Sequence, residues 1–345
     1  MEQKNFDPDG VGVDNGTYFG LPFAPETAEL VLISAPWDVT VSYGAGAAYA
    51  PDAIIEASTQ LDFHDPLAPG VWRRGIATAD VDYSLLESSQ RLRADAARVI
   101  DHLEGGGCLE DDYVVRKVRR VNEGCMSMNA NVGAQASRWL DAGKTVGLVG
   151  GDHSTPYGLV QALGERGEGF GILHIDAHCD LRRAYEGFEY SHASIMYNVL
   201  RDVPQAERIV EVGVRDYCDA EAELARSSER IRMFDDTQLS AAAFEGETWG
   251  ATCRRIVAEL PERVYVSFDI DGLSVEYCPH TGTPVAGGLT FNQAVYLLHE
   301  TVRSGRRIIG FDVVEVVPRP GSSIDASTGA RILYKLCGLT LKSEL

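Results

Sequence analysis

Residues 171–180 read Gly-Ile-Leu-His-Ile-Asp-Ala-His-Cys-Asp, an apolar run that closes on three potential metal ligands. Asp176, His178 and Asp180 stand at i, i+2 and i+4. In extended chain alternate side chains share one face, so this spacing aims two carboxylates and an imidazole at one point. Two other stretches repeat the logic. Gly150-Gly151-Asp152-His153 follows the apolar run 146–149, and Phe268-Asp269-Ile270-Asp271 follows 264–267. A strand-like run that turns acidic at its end, three times over, points to one site fed by several strands.

Working outward, apolar runs at 30–35, 75–79, 145–149, 169–175, 208–214, 232–234, 264–270 and 307–313 read as strands. Helical periodicity fills 53–58, 88–103, 113–142, 157–163, 193–200, 220–228, 248–260, 291–302 and 327–336. Strands that alternate with helices predict an α/β fold whose central sheet is mainly parallel, with helices on both faces. The runs are continuous rather than alternating, which suits strands buried on both sides. We expect an irregular arm over 1–29 and a single domain over 30–345, with an insertion at about 62–112. In such sheets ligands collect beyond the carboxyl ends of the strands. His153, the 176–180 triplet, Asp269, Asp271 and Glu315 all fall there.

The 345 residues include 51 acidic and 31 basic side chains, a net charge of −20. That balance argues against a nucleic-acid partner, because phosphate contacts need a basic surface. It suits a cationic substrate, a salt-adapted surface or simply a well-solvated one. Seven cysteines are scattered without a CxxC pair, as expected of reduced thiols. The polar, acidic start lacks the apolar core of a signal peptide, and no run reaches the roughly 18 apolar residues of a membrane span. A cytoplasmic protein with no membrane partner is the expectation.

His153, His178 and the four aspartates 176, 180, 269 and 271 form a mostly oxygen donor set. The Cys179 side chain points to the opposite face. Such a set fits a Mn²⁺-like ion better than structural zinc. Four carboxylates overcharge one divalent ion and balance two. A pair of ions serves hydrolysis of an unactivated carbon or phosphorus centre. Phosphate chemistry would want added cations, and the motif strands supply none, although Arg182 and Arg183 follow closely. The spacing leaves open which carboxylates bridge.

The motifs Gly-Gly-Asp-His-Ser (150–154), Asp-Ala-His-Cys-Asp (176–180) and Ser-Phe-Asp-Ile-Asp-Gly-Leu (267–273) occur in that order, followed by Thr-Gly-Thr-Pro (281–284) and Glu-Val-Val-Pro (315–318). In this the chain resembles the ureohydrolase family: arginases, agmatinases and related guanidino-group hydrolases. The resemblance implies a three-layer α/β/α fold, two Mn²⁺ ions (Ni²⁺ as the alternative) and a homotrimer or homohexamer. It implies one metal held by His153, Asp176, Asp180 and Asp269, and the other by His178, Asp176, Asp269 and Asp271. His192 matches a proton shuttle near the leaving amine, and Glu315 a carboxylate that grips the guanidinium. With Asp180 they form the catalytic group. The remaining histidines, His64, His102, His174, His280 and His299, read as structural, with His174 one pleat behind the site.

The 181–194 loop is similar to the agmatinase pattern Asp-Leu-Arg-x-x-Tyr-Glu-Gly-x-x-Tyr-Ser-His-Ala. It implies a small cationic guanidino substrate, agmatine first, with Arg182, Tyr185, Glu186 and Thr283 as contacts. Arg183 weighs toward arginine or 4-guanidinobutyrate. The chain departs from the family's common pattern at Ala193-Ser194-Ile195-Met196, Ala286 and Val317. Guanidine hydrolysis and a catalytically idle metal-binding homologue are the alternative expectations.

Overall fold

The computed structural model describes residues 6–344. Eight strands make one sheet: β1 Leu30–Ala35, β2 Ile76–Thr78, β3 Thr145–Gly150, β4 Phe170–Ile175, β5 Ala206–Val212, β6 Ile231–Phe234, β7 Arg263–Asp269 and β8 Arg307–Val314. Their order is β2-β1-β3-β8-β7-β4-β5-β6, and every pairing is parallel. The chain builds both flanks first and inserts β7 and β8 last, between β3 and β4. That late insertion makes β3, β8, β7 and β4 neighbours, and these are the strands whose ends carry the motifs.

The helices among the described residues are α1 Ala50–Ser58, α2 Tyr83–Glu104, α3 Asp112–Asp141, α4 Tyr157–Gly164, α5 Ile195–Asp202, α6 Asp219–Ser227, α7 Asp236–Phe244, α8 Trp249–Ala258, α9 Phe291–Arg303 and α10 Ile324–Ser343. The period of two along β1 divides the core. Leu30 and Leu32 pack with Ile54, Ile256, Leu297 and Leu333 of α1, α8, α9 and α10. Val31 and Ile33 pack with Leu92, Val121, Leu159 and Val199 of α2, α3, α4 and α5. The result is three layers. Each fully buried aliphatic contributes about 1.5–3 kcal/mol, so a change such as Leu148→Ala would cost about 2–5 kcal/mol through lost burial and the cavity left behind.

Several elements differ from the sequence expectation. The stretch before β1 is irregular, yet Tyr18, Phe19 and Leu21 are buried in the core. Tyr18 shares a 2.8 Å hydrogen bond with Ser34 of β1, and Phe19 N donates to Ser58 Oγ at 2.7 Å. Helix α2 starts earlier than its apolar period, because the Asp82 carboxylate accepts from Ser84 N and caps it. Helix α7 has no expected counterpart; it presents only Leu239 to the core, so it lacks an apolar stripe, and Asp235 caps it at Gln238 N. No helix among the described residues is long and apolar enough to cross a membrane.

Candidate metal centre and substrate cavity

Beyond β3 the chain turns sharply at Gly151. A Cβ there would lie 1.7 Å from Trp37 O, so only glycine lets the loop after β1 cross this turn. The crossing delivers His153 over the ends of β8 and β7. Beyond β4, Asp176 Oδ1 accepts from His178 N at 2.6 Å. Beyond β7, Asp269 Oδ1 accepts from Asp271 N at 2.8 Å, and Asp271 Oδ1 accepts from Ala177 N at 3.0 Å. These bonds lock the two acidic motifs to each other.

All six expected ligands meet. His153 Nδ1 lies 2.9 Å from Asp176 Oδ2, 3.0 Å from Asp180 Oδ2 and 3.2 Å from Asp269 Oδ2. That nitrogen is buried and has no hydrogen-bond partner, while Nε2 is engaged by Ser267 Oγ at 2.9 Å. A lone-pair nitrogen and three carboxylate oxygens around one point are what a divalent ion needs. On the other side, His178 Nδ1 lies 3.4 Å from Asp176 Oδ1 and 3.2 Å from Asp271 Oδ2. Asp176 therefore turns one oxygen to each half of the cluster. His174 stands behind it, with Nε2 2.8 Å from Asp176 Oδ2.

Burial first, and then the neighbouring Asp176, push the Asp180 carboxyl up to about 6. Burial, then Asp271 and Asp176, hold Asp269 well above the usual carboxylate range. Four acids gathered out of water in this way are stable as anions only beside compensating cations. Two groups share Asp176 and could each hold an ion: His153, His174, Asp176 and Asp180 on one side, and Asp176, His178 and Asp271 on the other, with Asp269 bordering the first through His153.

A cavity of about 150 Å³ opens on the cluster. Glu315, at φ +60, and Asp180, at φ +53, hold left-handed backbone conformations, which cost about 1–3 kcal/mol each in a residue with a side chain. Glu315 Oε1 accepts from His153 N at 2.8 Å, and its carboxylate lines the cavity. Burial, then Asp152, raise its pKa well above the ordinary value. His192 also lines the cavity, with Nδ1 3.4 Å from Thr40 Oγ1 and 3.3 Å from Ser191 Oγ. Burial is the first cause that pushes its pKa down, to about 3. The ring rests neutral and would hold a proton only in passing.

Of the expected substrate contacts, Arg182, Tyr185 and Thr283 line the cavity. Glu186 does not. The chain is left-handed there, at φ +54, and the charges that act on its carboxylate are Glu104 and Arg93 of α2 and Arg182. Arg183 is exposed and also lies outside the lining. Two lining acids escaped the sequence reading, Asp216 and Glu221. They follow the carboxyl end of β5, so the rule applied to four other strands would have found them. Glu221 Oε2 lies 3.7 Å from Arg182 Nε, and the Arg182 guanidinium sits 4.7 Å from the Tyr185 ring centroid.

With this geometry in place, the profile of the Arginase family matches residues 28–338. The chain belongs to the arginase family. This ureohydrolase is 31% identical over 314 residues to the N(1)-aminopropylagmatine ureohydrolase of Thermus thermophilus, covering 91% of each chain. It is 30% identical over 315 residues to the agmatinase of Neisseria meningitidis, covering 90% of this chain and 86% of that one. Among solved structures, proclavaminate amidino hydrolase from Streptomyces clavuligerus superposes with a TM-score of 0.71 at 23% identity. That superposition covers 95% of this ureohydrolase and 97% of the other chain, and it shows the shared fold.

Proposed function

We propose that this ureohydrolase cleaves agmatine to putrescine and urea, using two Mn²⁺ ions at the His153/His178/aspartate cluster. The observation that carries the substrate reading is the charge of the cavity wall. Asp216, Glu221 and Glu315 face it, and its one arginine, Arg182, is already beside Glu221 and stacked on Tyr185. A substrate with a carboxylate would meet net negative charge and no free cation. A linear guanidino-amine, positive at both ends, is complementary to the wall.

The reaction adds water across one C–N bond of the guanidinium. Oxygen joins the carbon, the C–N bond to the alkyl chain breaks, and a proton reaches the departing amine. When bound, the two ions would supply a water of lowered pKa and stabilise the charge that develops at the carbon. Glu315 would orient the guanidinium through charge-assisted hydrogen bonds, since its Oε1 is fixed by His153 N. His192 would carry the proton to the amine; its Nδ1 is occupied by the hydroxyls of Thr40 and Ser191, which leaves Nε2 for the transfer. Asp216 would meet the distal ammonium.

N(1)-aminopropylagmatine is the second reading, favoured by the Thermus relative and by a cavity wall equally suited to a longer polyamine. A substrate panel that includes N(1)-aminopropylagmatine separates them, the compound with the higher kcat/KM being the substrate. Mn²⁺-loaded protein should release urea from agmatine with kcat/KM at least tenfold above arginine and 4-guanidinobutyrate. A preference for either carboxylate-bearing compound would overturn the reading.

A further inference from the structure

Helices α2 and α3 form a hairpin that reaches both loops flanking His192. On α2, Ser89 Oγ accepts from Asp38 N at 3.1 Å, and Arg93 Nη1 donates to Val39 O at 3.2 Å. The next residue, Thr40, accepts from His192 N at 3.1 Å. On α3, Asn122 makes two bonds to the other loop. Its Nδ2 donates to Gly187 O at 3.2 Å, and its Oδ1 accepts from Glu189 N at 3.0 Å.

That second loop is a tight turn. Tyr185 and Phe188 exchange backbone bonds of 3.1 and 2.8 Å, and the residues between them, Glu186 and Gly187, both have positive φ. Two successive left-handed residues make a two-residue hairpin turn, and the one that carries a side chain, Glu186, costs about 1–3 kcal/mol that outside contacts offset. The support comes from α3 and the loop before it. Leu109 and Val118 close on Gly187 so tightly that a Cβ there would meet them at 2.9 and 3.2 Å. The turn carries Tyr185, on which Arg182 stacks and whose ring stands 6.1 Å from the His192 ring.

We infer that Asn122 is a positioning residue for catalysis: its amide clamps the 185–190 turn and so holds Tyr185, Arg182 and His192 at the cavity. The inference rests on the guanidino-amine reading above for its choice of substrate. Asn122 is remote from the metal cluster and lines no part of the cavity. Its effect therefore passes through the fraction of molecules whose turn is closed. Substrate binding weakens in proportion to that fraction, while turnover of the bound complex is preserved.

The test is Asn122→Ala, with alanine chosen because it preserves helix α3. Losing two hydrogen bonds should raise KM for agmatine about five- to tenfold, with kcat changed less than twofold. Amide hydrogen exchange at Phe188 and Glu189 should speed up by at least a similar factor, while metal content and the exchange of β3 and β4 stay as in the unaltered protein. Asn122→Asp keeps the acceptor for Glu189 N and loses the donor to Gly187 O, so its exchange at Phe188 and Glu189 should also rise. A merely structural role would instead lower Tm and active fraction at constant KM, and that pattern overturns the inference. So does unchanged exchange at Phe188 and Glu189 in both variants. If the unaltered protein releases no urea from agmatine, the substrate reading fails, and exchange at these two amides still decides for or against the clamp.

Discussion

His153 Nδ1 and Asp176 Oδ2 stand 2.9 Å apart and make no hydrogen bond. A buried nitrogen left without a partner costs about 1–3 kcal/mol, and the cost persists only where something else is bound in its place. The second oxygen of Asp176 faces His178, so one carboxylate serves both halves of the cluster. Asp271 lies within reach of His178 alone of the two histidines proposed as ligands. Asp176→Ala should therefore lose both ions and all measurable activity, whereas Asp271→Ala should keep about one ion per chain. Metal analysis of the desalted proteins checks this; equal stoichiometry in the two variants would contradict the shared role of Asp176.

His192 touches the cavity and no ligand of the cluster by hydrogen bond; its polar partners are Thr40 and Ser191. His192→Ala should lower kcat about 10²–10⁴-fold, the usual worth of a proton-transfer group, with metal content unchanged. Added imidazole should restore part of the rate. Turnover that is unaffected would remove the shuttle from the mechanism.

Asp216 is held by its backbone, whose N–H donates to Ala177 O at 3.1 Å, which leaves the carboxylate available to the cavity. Asp216→Asn keeps the shape and removes the charge. It should raise KM for agmatine about tenfold or more, in line with about 1.5–3 kcal/mol for a hydrogen bond to a charged group. The preference over arginine should narrow at the same time. Steady-state kinetics on both substrates read the outcome, and an unchanged ratio would exclude Asp216 from specificity.

Much of this site is legible in the sequence because parallel strands obey simple rules. The strand-end rule gathers Asp176, His178 and Asp180 with His153, Asp269 and Asp271, but β4 ends at Ile175 and Asp180 is left-handed, so the triplet converges through a bend and not through the period of two expected of extended chain. Strand order is not written locally. Nothing in residues 264–270 or 307–313 shows that β7 and β8 insert between β3 and β4, so convergence required the structure. Glu186 was misplaced because a left-handed φ redirects its side chain, and the sequence Glu-Gly shows a turn without its direction. The clamp on that turn was invisible for a related reason: Asn122 lies 65 residues from Gly187 along the chain, on a helix whose apolar period says only which face is buried.

Glu186 provides a test of pH dependence away from the metal ligands. Burial first, then Glu104, raise its carboxyl to about 7 against an ordinary value near 4.5, and its Oε2 is buried without a partner. A folded pKa above the unfolded one means that its contribution to stability is full below about pH 4.5 and is lost as pH rises through about 7. Glu186→Gln removes that loss. The variant should match the unaltered protein at pH 4.5 and exceed it at pH 8, by an amount on the order of 1 kcal/mol. Thermal unfolding at both pH values decides; a gap that is constant with pH would contradict the assignment.

On the proposed function, this cluster holds two divalent ions and the cavity beside it turns a guanidino-amine into urea. The most direct measurement strips the protein with chelator, titrates it with Mn²⁺, and follows bound metal per chain and urea release from agmatine in the same samples. Saturation at two ions per chain is expected, with urea release that reaches its maximum at the second ion and putrescine formed in equal amount. Two ions bound with no urea released from agmatine would contradict it.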